Sequence, residues 1–144
     1  MLEPNETALL PEGLHDTVVG DASRERKVVE KLLNSFSSHG YDLVLPPLVE
    51  FEESLLLVPG KAHSRNMFRL LDPASQRMMG VRTDMTGQVA RISHSRLGNA
   101  PRPLRLSYAG DVLRIKGTQL RPERQFKQAG VELIGSNSTE AYTE

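Results

Sequence analysis

The sequence predicts an α+β fold, and three patterns carry that reading. Val28, Val29, Leu32, Leu33 and Phe36 recur at helical spacing. Two short apolar runs, Met67–Leu71 and Arg77–Arg82, flank Asp72-Pro73-Ala74-Ser75, a set of turn-forming residues, and read as a hairpin. The stretch from Arg124 to Ile134 alternates as a strand does, with Phe126, Gln128, Gly130, Glu132 and Ile134 on one face. Its other face carries Ala129, Val131 and Leu133, which reads as an ordinary core face.

The remaining elements follow in chain order. Residues 1–20 read as an irregular arm with a turn in LLPEGLHD. Asp21 is placed to cap the first helix, and Gly40 to end it. Tyr41–Leu45 reads as a strand that Pro46-Pro47 interrupts. Phe51–Val58 is a candidate short helix, followed by a loop at GKAHS. Met78 and Met79 read as core packing. A second helix follows Asp84, with Met85, Val89 and Ile92 on one stripe, and ends near Gly98. Pro101 and Pro103 keep the connector extended. Strands are expected over Leu104–Ala109, Val112–Lys116 and Arg124–Ile134, the last two antiparallel and joined by Gly117–Glu123. Ser138 would cap a helix that begins at the end of the chain.

Composition narrows the function classes. The chain has 144 residues, enough for one domain with a core. It has no cysteine, which excludes disulfides and thiolate metal sites. No apolar run approaches a membrane span, and the N-terminus lacks the pattern of a secretory signal. The formal net charge is zero, so no bulk attraction to nucleic acid is expected. Charge is uneven, however. Arg102, Arg105, Arg114, Lys116, Arg121, Arg124 and Lys127 face only Asp111 and Glu123 in that stretch, a local anion-binding patch or a solvated face. His15, His39, His63 and His94 show no ligand spacing, and no metal site is expected.

Three segments in order resemble the class II aminoacyl-tRNA synthetase family, in its histidyl branch. GYDLVLPPLVE (Gly40–Glu50) resembles motif 1, RTDMTGQVAR (Arg82–Arg91) a histidine-recognition segment, and Tyr108–Gly135 motif 2 with the strand after it. The wording RTDMT, RPLRLSYAGDVLR and QAGVELIG is similar to the non-catalytic paralogues that serve as regulatory subunits of ATP phosphoribosyltransferase. The resemblance implies a mostly antiparallel sheet flanked by helices, with residues 1–144 as the front part of the synthetase-like core. It implies a regulatory rather than catalytic role, and self-association through the motif 1 region. It further implies a short-form catalytic phosphoribosyltransferase subunit as partner and histidine as feedback effector. A cytoplasmic location, with which the lack of cysteine fits, and no cofactor are expected. One departure bears on catalysis. Arg114-Ile115-Lys116 stands where a synthetase has Arg-x-Glu, so the acid that helps orient adenine is replaced by a base.

By that resemblance the ligand site comprises Asp84, Thr86, Arg114, Gln128 and Glu132. Asp84 and Thr86 would receive an α-amino group with help from Gln128, which agrees with an ammonium having three donors and no acceptor. Glu132 would accept an imidazole N–H, and Arg114 would face a carboxylate or phosphate through its planar fork. Each has a plainer alternative. Asp84 also suits a helix cap with Thr86 in the first turn. Glu132 also suits an ion pair with an arginine, and Arg114 a salt bridge with Asp111 or Glu123.

Overall fold

The computed structural model describes residues 10–57 and 65–143. The expected GKAHS loop, Val58 and His63 lie outside them. Among the described residues ten elements follow in order: α1 (Asp21–Ser38), β1 (Asp42–Leu43), β2 (Val49–Phe51), α2 (Glu52–Leu55), β3 (Arg69–Leu71), β4 (Met78–Val81), α3 (Thr86–Ser95), β5 (Leu104–Leu113), β6 (Gln125–Ile134) and α4 (Thr139–Thr143). They form two three-stranded sheets, ordered β1-β5-β6 and β2-β4-β3. The predicted α+β class is borne out. All pairings are antiparallel except β1 with β5, which is parallel.

Local chemistry explains most boundaries. At the end of α1 the Tyr41 N–H donates to Phe36 O (3.0 Å) and the Gly40 N–H to Ser37 O (3.0 Å), with Gly40 at φ 79°. This Schellman pattern needs a left-handed residue, which glycine adopts without strain. The start of α1 differs from expectation. Gly20 occupies the cap, and Asp21 is the first helical residue, paired with Arg24 at 2.9 Å. The β3–β4 turn is as expected: the Asp72 carboxylate accepts from Ala74 N (3.1 Å), Ser75 N (3.2 Å) and Ser75 Oγ (2.6 Å). Those bonds hold its carboxyl below the ordinary carboxylate range, the Ser75 hydroxyl contributing most. The expected cap of α4 also forms, with Ser138 Oγ accepting from Ala141 N at 3.3 Å.

Two strand expectations are corrected. The Tyr41–Leu45 strand shrinks to Asp42–Leu43; Val44 N still donates to Ser107 O (2.9 Å), and beyond it Pro46-Pro47 have no N–H to continue the ladder. The two strands expected between 104 and 116 are one ten-residue strand, β5, which pairs with β6 without interruption from Leu104↔Ile134 to Leu113↔Gln125. Gly110 and Asp111 look like a break in sequence, but opposite β6 they are ordinary ladder positions.

The core lies where α3 crosses the β5–β6 pair. Met85, Val89, Leu106, Tyr108 and Val112 are buried together, with Phe126, Ile134, Leu104, Leu97 and Val44 packed around them. This reverses the expected assignment of faces on β6. The face of Phe126, Gln128, Gly130, Glu132 and Ile134 is the core face. The face of Ala129, Val131 and Leu133 looks toward α1, and Val131 is exposed. Met78 is also exposed rather than buried, since β4 turns it outward.

Arg82 links the two sheets. It is nearly buried, and its Nε donates to Asp111 O (2.7 Å) and its Nη1 to Pro46 O (2.8 Å). Burial pushes its guanidinium below the ordinary arginine value, and the charges of Asp111 and Glu50 oppose that shift. Gly110 makes room for it, because a Cβ there would lie 2.4 Å from Arg82 Nη2.

Candidate functional site

The site is carried by the core face of β6, the facing part of β5 and the first turn of α3. Gln128 pins that turn to the sheet. Its Oε1 accepts from Met85 N (2.9 Å), and its Nε2 donates to Asp84 Oδ2 (2.8 Å). The inward amide that sequence alone left in need of a partner is therefore served by the protein itself. Asp84 Oδ1 accepts from Thr86 N at 2.8 Å. The capping alternative for Asp84 is thus realised, and it fixes the same carboxylate that the ligand expectation uses.

Tyr108 joins the other two residues. Its hydroxyl lies 3.2 Å from Thr86 Oγ1 and donates to Glu132 Oε1 at 3.2 Å. Tyr108 pairs with Gly130 across the ladder, and a Cβ on Gly130 would lie 2.7 Å from the Tyr108 hydroxyl. The glycine between Gln128 and Glu132 is what lets the ring cross the strand. Burial pushes the Tyr108 phenol above its ordinary pKa, the Thr86 contact lowers it, and the nearby Glu132 charge raises it further. The phenol is therefore neutral near pH 7 and donates to the carboxylate.

Asp84, Thr86, Gln128 and Glu132 thus form one connected network. With Tyr108 donating to Glu132, the Thr86 hydroxyl is left to donate to Tyr108, and its oxygen keeps acceptor capacity. Among the described residues Glu132 Oε2 has no hydrogen-bond or ion-pair partner. The Asp84 oxygens each accept one bond and retain lone pairs. The surface is consequently rich in acceptors at two places, the Asp84–Thr86 end and the Glu132 end. It is complementary to a small molecule with hydrogen-bond donors at both ends.

Arg114 stands beside this network. Its Nε points at Thr83 O (3.4 Å), and its guanidinium lies over the Phe126 ring at 5.0 Å. The alternative considered for Arg114, a salt bridge with Asp111 or Glu123, is not formed among the described residues. Both Asp111 oxygens are taken by Lys127 Nζ at 2.8 Å. Arg121 lies over the same ring at 4.8 Å, and Arg114, Lys116, Arg121 and Phe126 line a cavity of about 320 Å³. The ion pair considered for Glu132 is likewise replaced by the Tyr108 bond.

Three residues escaped the sequence reading: Tyr108, Arg82 and Gln88. Gln88 is buried in α3, with Nε2 donating to Pro47 O (2.7 Å) and Glu50 Oε1 (2.9 Å). Glu50 also holds Arg91 in a two-pronged pair. The signal for Tyr108 was available, as it shares a strand face with Leu106 and Val112, but its partner depends on register with β6. A cavity of about 670 Å³ shares Arg121, Glu123 and Phe126 with the one beside Arg114, and two other large ones share no lining residue with the cavity beside Arg114. One of about 610 Å³ runs between the arm, α1 and the outer face of β6, and another of about 620 Å³ surrounds Pro46-Pro47, Glu50 and Phe51.

Comparison with known proteins places this geometry. The profile described as histidyl-tRNA synthetase matches residues 13–144. An ATP phosphoribosyltransferase regulatory subunit of Rhodospirillum centenum is 62% identical over 137 residues, covering 95% of this chain and 36% of the relative. Another protein of that name, from Paramagnetospirillum magneticum, is 61% identical over 144 residues, covering 100% of this chain and 38% of the relative. The chain therefore spans little more than a third of the length of these relatives. Among solved structures, one described as an ATP phosphoribosyltransferase regulatory subunit/histidyl-tRNA synthetase from Bacillus halodurans superposes with a TM-score of 0.80 at 30% identity, covering 99% of this chain and 36% of the other. The apo histidyl-tRNA synthetase of S. aureus gives 0.70 at 26% identity, covering 92% and 30%. The match in profile, sequence and backbone makes this chain a member of the histidyl-tRNA synthetase family, with the class II synthetase-like fold.

Proposed function

We propose that this chain is the front part of a regulatory subunit of ATP phosphoribosyltransferase, and that its acceptor-rich sheet face binds histidine as the feedback signal. The single observation behind the ligand is the pairing of two acceptor groups. Asp84 and Thr86 suit the α-ammonium, while the open oxygen of Glu132 suits an imidazole N–H. Gln128 acts as the brace that fixes Asp84, and Arg114 is near enough to Thr83 to meet the ligand's carboxylate. The names of the relatives support the regulatory role. Lys116 in place of the motif 2 acid supports a protein that does not itself charge tRNA.

The partner in this reading is the short-form catalytic subunit, in the cytoplasm. Among the described residues no helix is long and apolar enough to cross a membrane, which fits that setting. Self-association is assigned to the motif 1 region, where Leu43, Leu45 and Leu48 are exposed around the two prolines. Feedback then requires histidine to favour one assembly state, a coupling on the order of 1–3 kcal/mol.

The test is titration calorimetry of the intact protein. Glu132→Gln should weaken histidine binding by roughly tenfold or more, since a bond to a charged acceptor becomes a neutral one. Equal affinity in both proteins would sink the assignment. A second reading, an active histidyl-tRNA synthetase, is favoured by the family profile and by the retained Arg114. Histidine-dependent ATP–pyrophosphate exchange separates the two: the regulatory reading expects none.

A further inference from the structure

We propose that the small cavity beneath the first turn of α3 is a built site for one ordered water, which donates to Gln88 Oε1 and to the Asp84 carboxylate. Gln88 is 2% exposed. Its Nε2 faces two acceptors, Pro47 O and Glu50 Oε1, and this fixes which end of the amide is which. The opposite orientation would set an oxygen against both. Gln88 Oε1 is therefore a buried acceptor, and among the described residues nothing donates to it. A buried polar atom left in that state is costly, and native proteins relieve it with a partner or a water.

The space for that water exists. A cavity of about 20 Å³ is lined by Gln88, Thr83 and Asp84 together with Leu55, Leu56 and Met67. That volume suits a single water, and the polar residues in its lining supply the hydrogen-bonding partners a buried water needs. The water has two hydrogens to give. Asp84 can take the second, because each of its oxygens accepts only one protein bond.

The water completes a connection that the protein atoms leave open. On one side it reaches Asp84 and through it Gln128. On the other it reaches Gln88, then Glu50, Arg91 and the Pro46–Pro47 corner. Gln88 thereby becomes a positioning residue for Asp84, tied to the segment assigned to self-association. That consequence rests on the histidine reading of Asp84; the hydration site does not.

The test is a crystal structure of the intact protein at a resolution that shows ordered water. A peak about 2.8 Å from Gln88 Oε1, within reach of Asp84, is the expected result. A dry cavity, or a protein donor turned onto Gln88 Oε1, would overturn the site. In Gln88→Met the peak should vanish and histidine affinity should fall severalfold. A peak that persists in that variant would remove Gln88 as its partner. Unchanged affinity in a variant that has lost the water would overturn the tether to Asp84. Failure of the unmodified protein to bind histidine would count against the histidine reading alone, because the density still decides the water.

Discussion

The two faces of the β5–β6 pair make opposite use of their side chains. The face under α3 carries Leu106, Tyr108 and Val112, packed against Met85 and Val89 and all nearly inaccessible, yet it also holds Gln128 and Glu132, with Asp84 bound to Gln128 from the start of α3. The face toward α1 mixes Ala109, Ala129, Val131 and Leu133 with Arg105, Asp111, Gln125 and Lys127, and it is less well covered. Among the described residues α1 buries none fully, and Val28, Leu32 and Val131 are exposed. Polar groups are thus held where packing is tightest. A carboxylate can be fixed to a ligand's geometry only if its neighbours cannot move, and tight packing supplies that.

Substitutions on the two faces should separate sharply. Met85→Ala removes a side chain that is 1% exposed and should cost about 2–5 kcal/mol in denaturant unfolding of the intact protein. Val131→Ala on the outer face should stay within about 0.5 kcal/mol. Similar losses at both positions would mean that the outer face is covered in the intact protein and that the contrast belongs to this segment alone.

Gly130→Ala sharpens the comparison within the inner face. The new Cβ meets the Tyr108 hydroxyl and ring carbon at 2.7 and 2.8 Å, and the ring is too buried to swing away. Overpacking of this kind costs about 1–3 kcal/mol. It should also weaken histidine binding, since Tyr108 would leave Glu132. Retained binding would show that Tyr108 does not position the carboxylate.

Tyr108→Phe is expected to act more mildly, by about 1 kcal/mol near neutral pH, through the bonds to Glu132 and Thr86. Its pH dependence gives a distinctive sign. Burial raises the folded-state pKa of the phenol above its unfolded value near 10. The stability it contributes is therefore present below about pH 10 and lost as pH rises through the folded value. The gap in thermal midpoint between the native protein and Tyr108→Phe should narrow above about pH 10. A constant gap would place the phenol in a solvated setting.

The smallest effect is expected at the β3–β4 turn, away from both faces. Asp72→Ala should lower the thermal midpoint slightly. Because hydrogen bonds hold its carboxyl below the ordinary range, the native turn's advantage is present above that range and fades as pH falls through the lowered value. A difference from the native protein that survives strong acid would contradict this cause.

The same contrast explains what could be read from the sequence. The apolar stripes of α1 and α3, the Asp72 turn and the Gly40 terminus are local in origin, and each appeared where expected; the antiparallel partner of β6 was expected too, but as two strands rather than one. The inward set Gln128 and Glu132 was also legible, because strand alternation places them together whatever the sheet does next. What escaped depends on pairing between distant segments. Ala129, Val131 and Leu133 look like a core face, but which face is buried depends on the side that α3 takes. Tyr108 gains its role only from its register opposite Gly130, and Gln88 only from the approach of Pro47 and Glu50.

The inner face is proposed to read donors at two ends of one small molecule. Titration calorimetry of the intact protein with histidine, with its analogue bearing a hydroxyl in place of the α-amino group, and with histidinol tests it most directly. Histidine should bind with saturable heat, and the analogue without the amine should bind at least about tenfold more weakly, a loss of about 1.4 kcal/mol. Histidinol should lose only what Arg114 contributes through the carboxylate. Equal affinity for histidine and the analogue without the amine would contradict the assignment of Asp84 and Thr86, and with it the account.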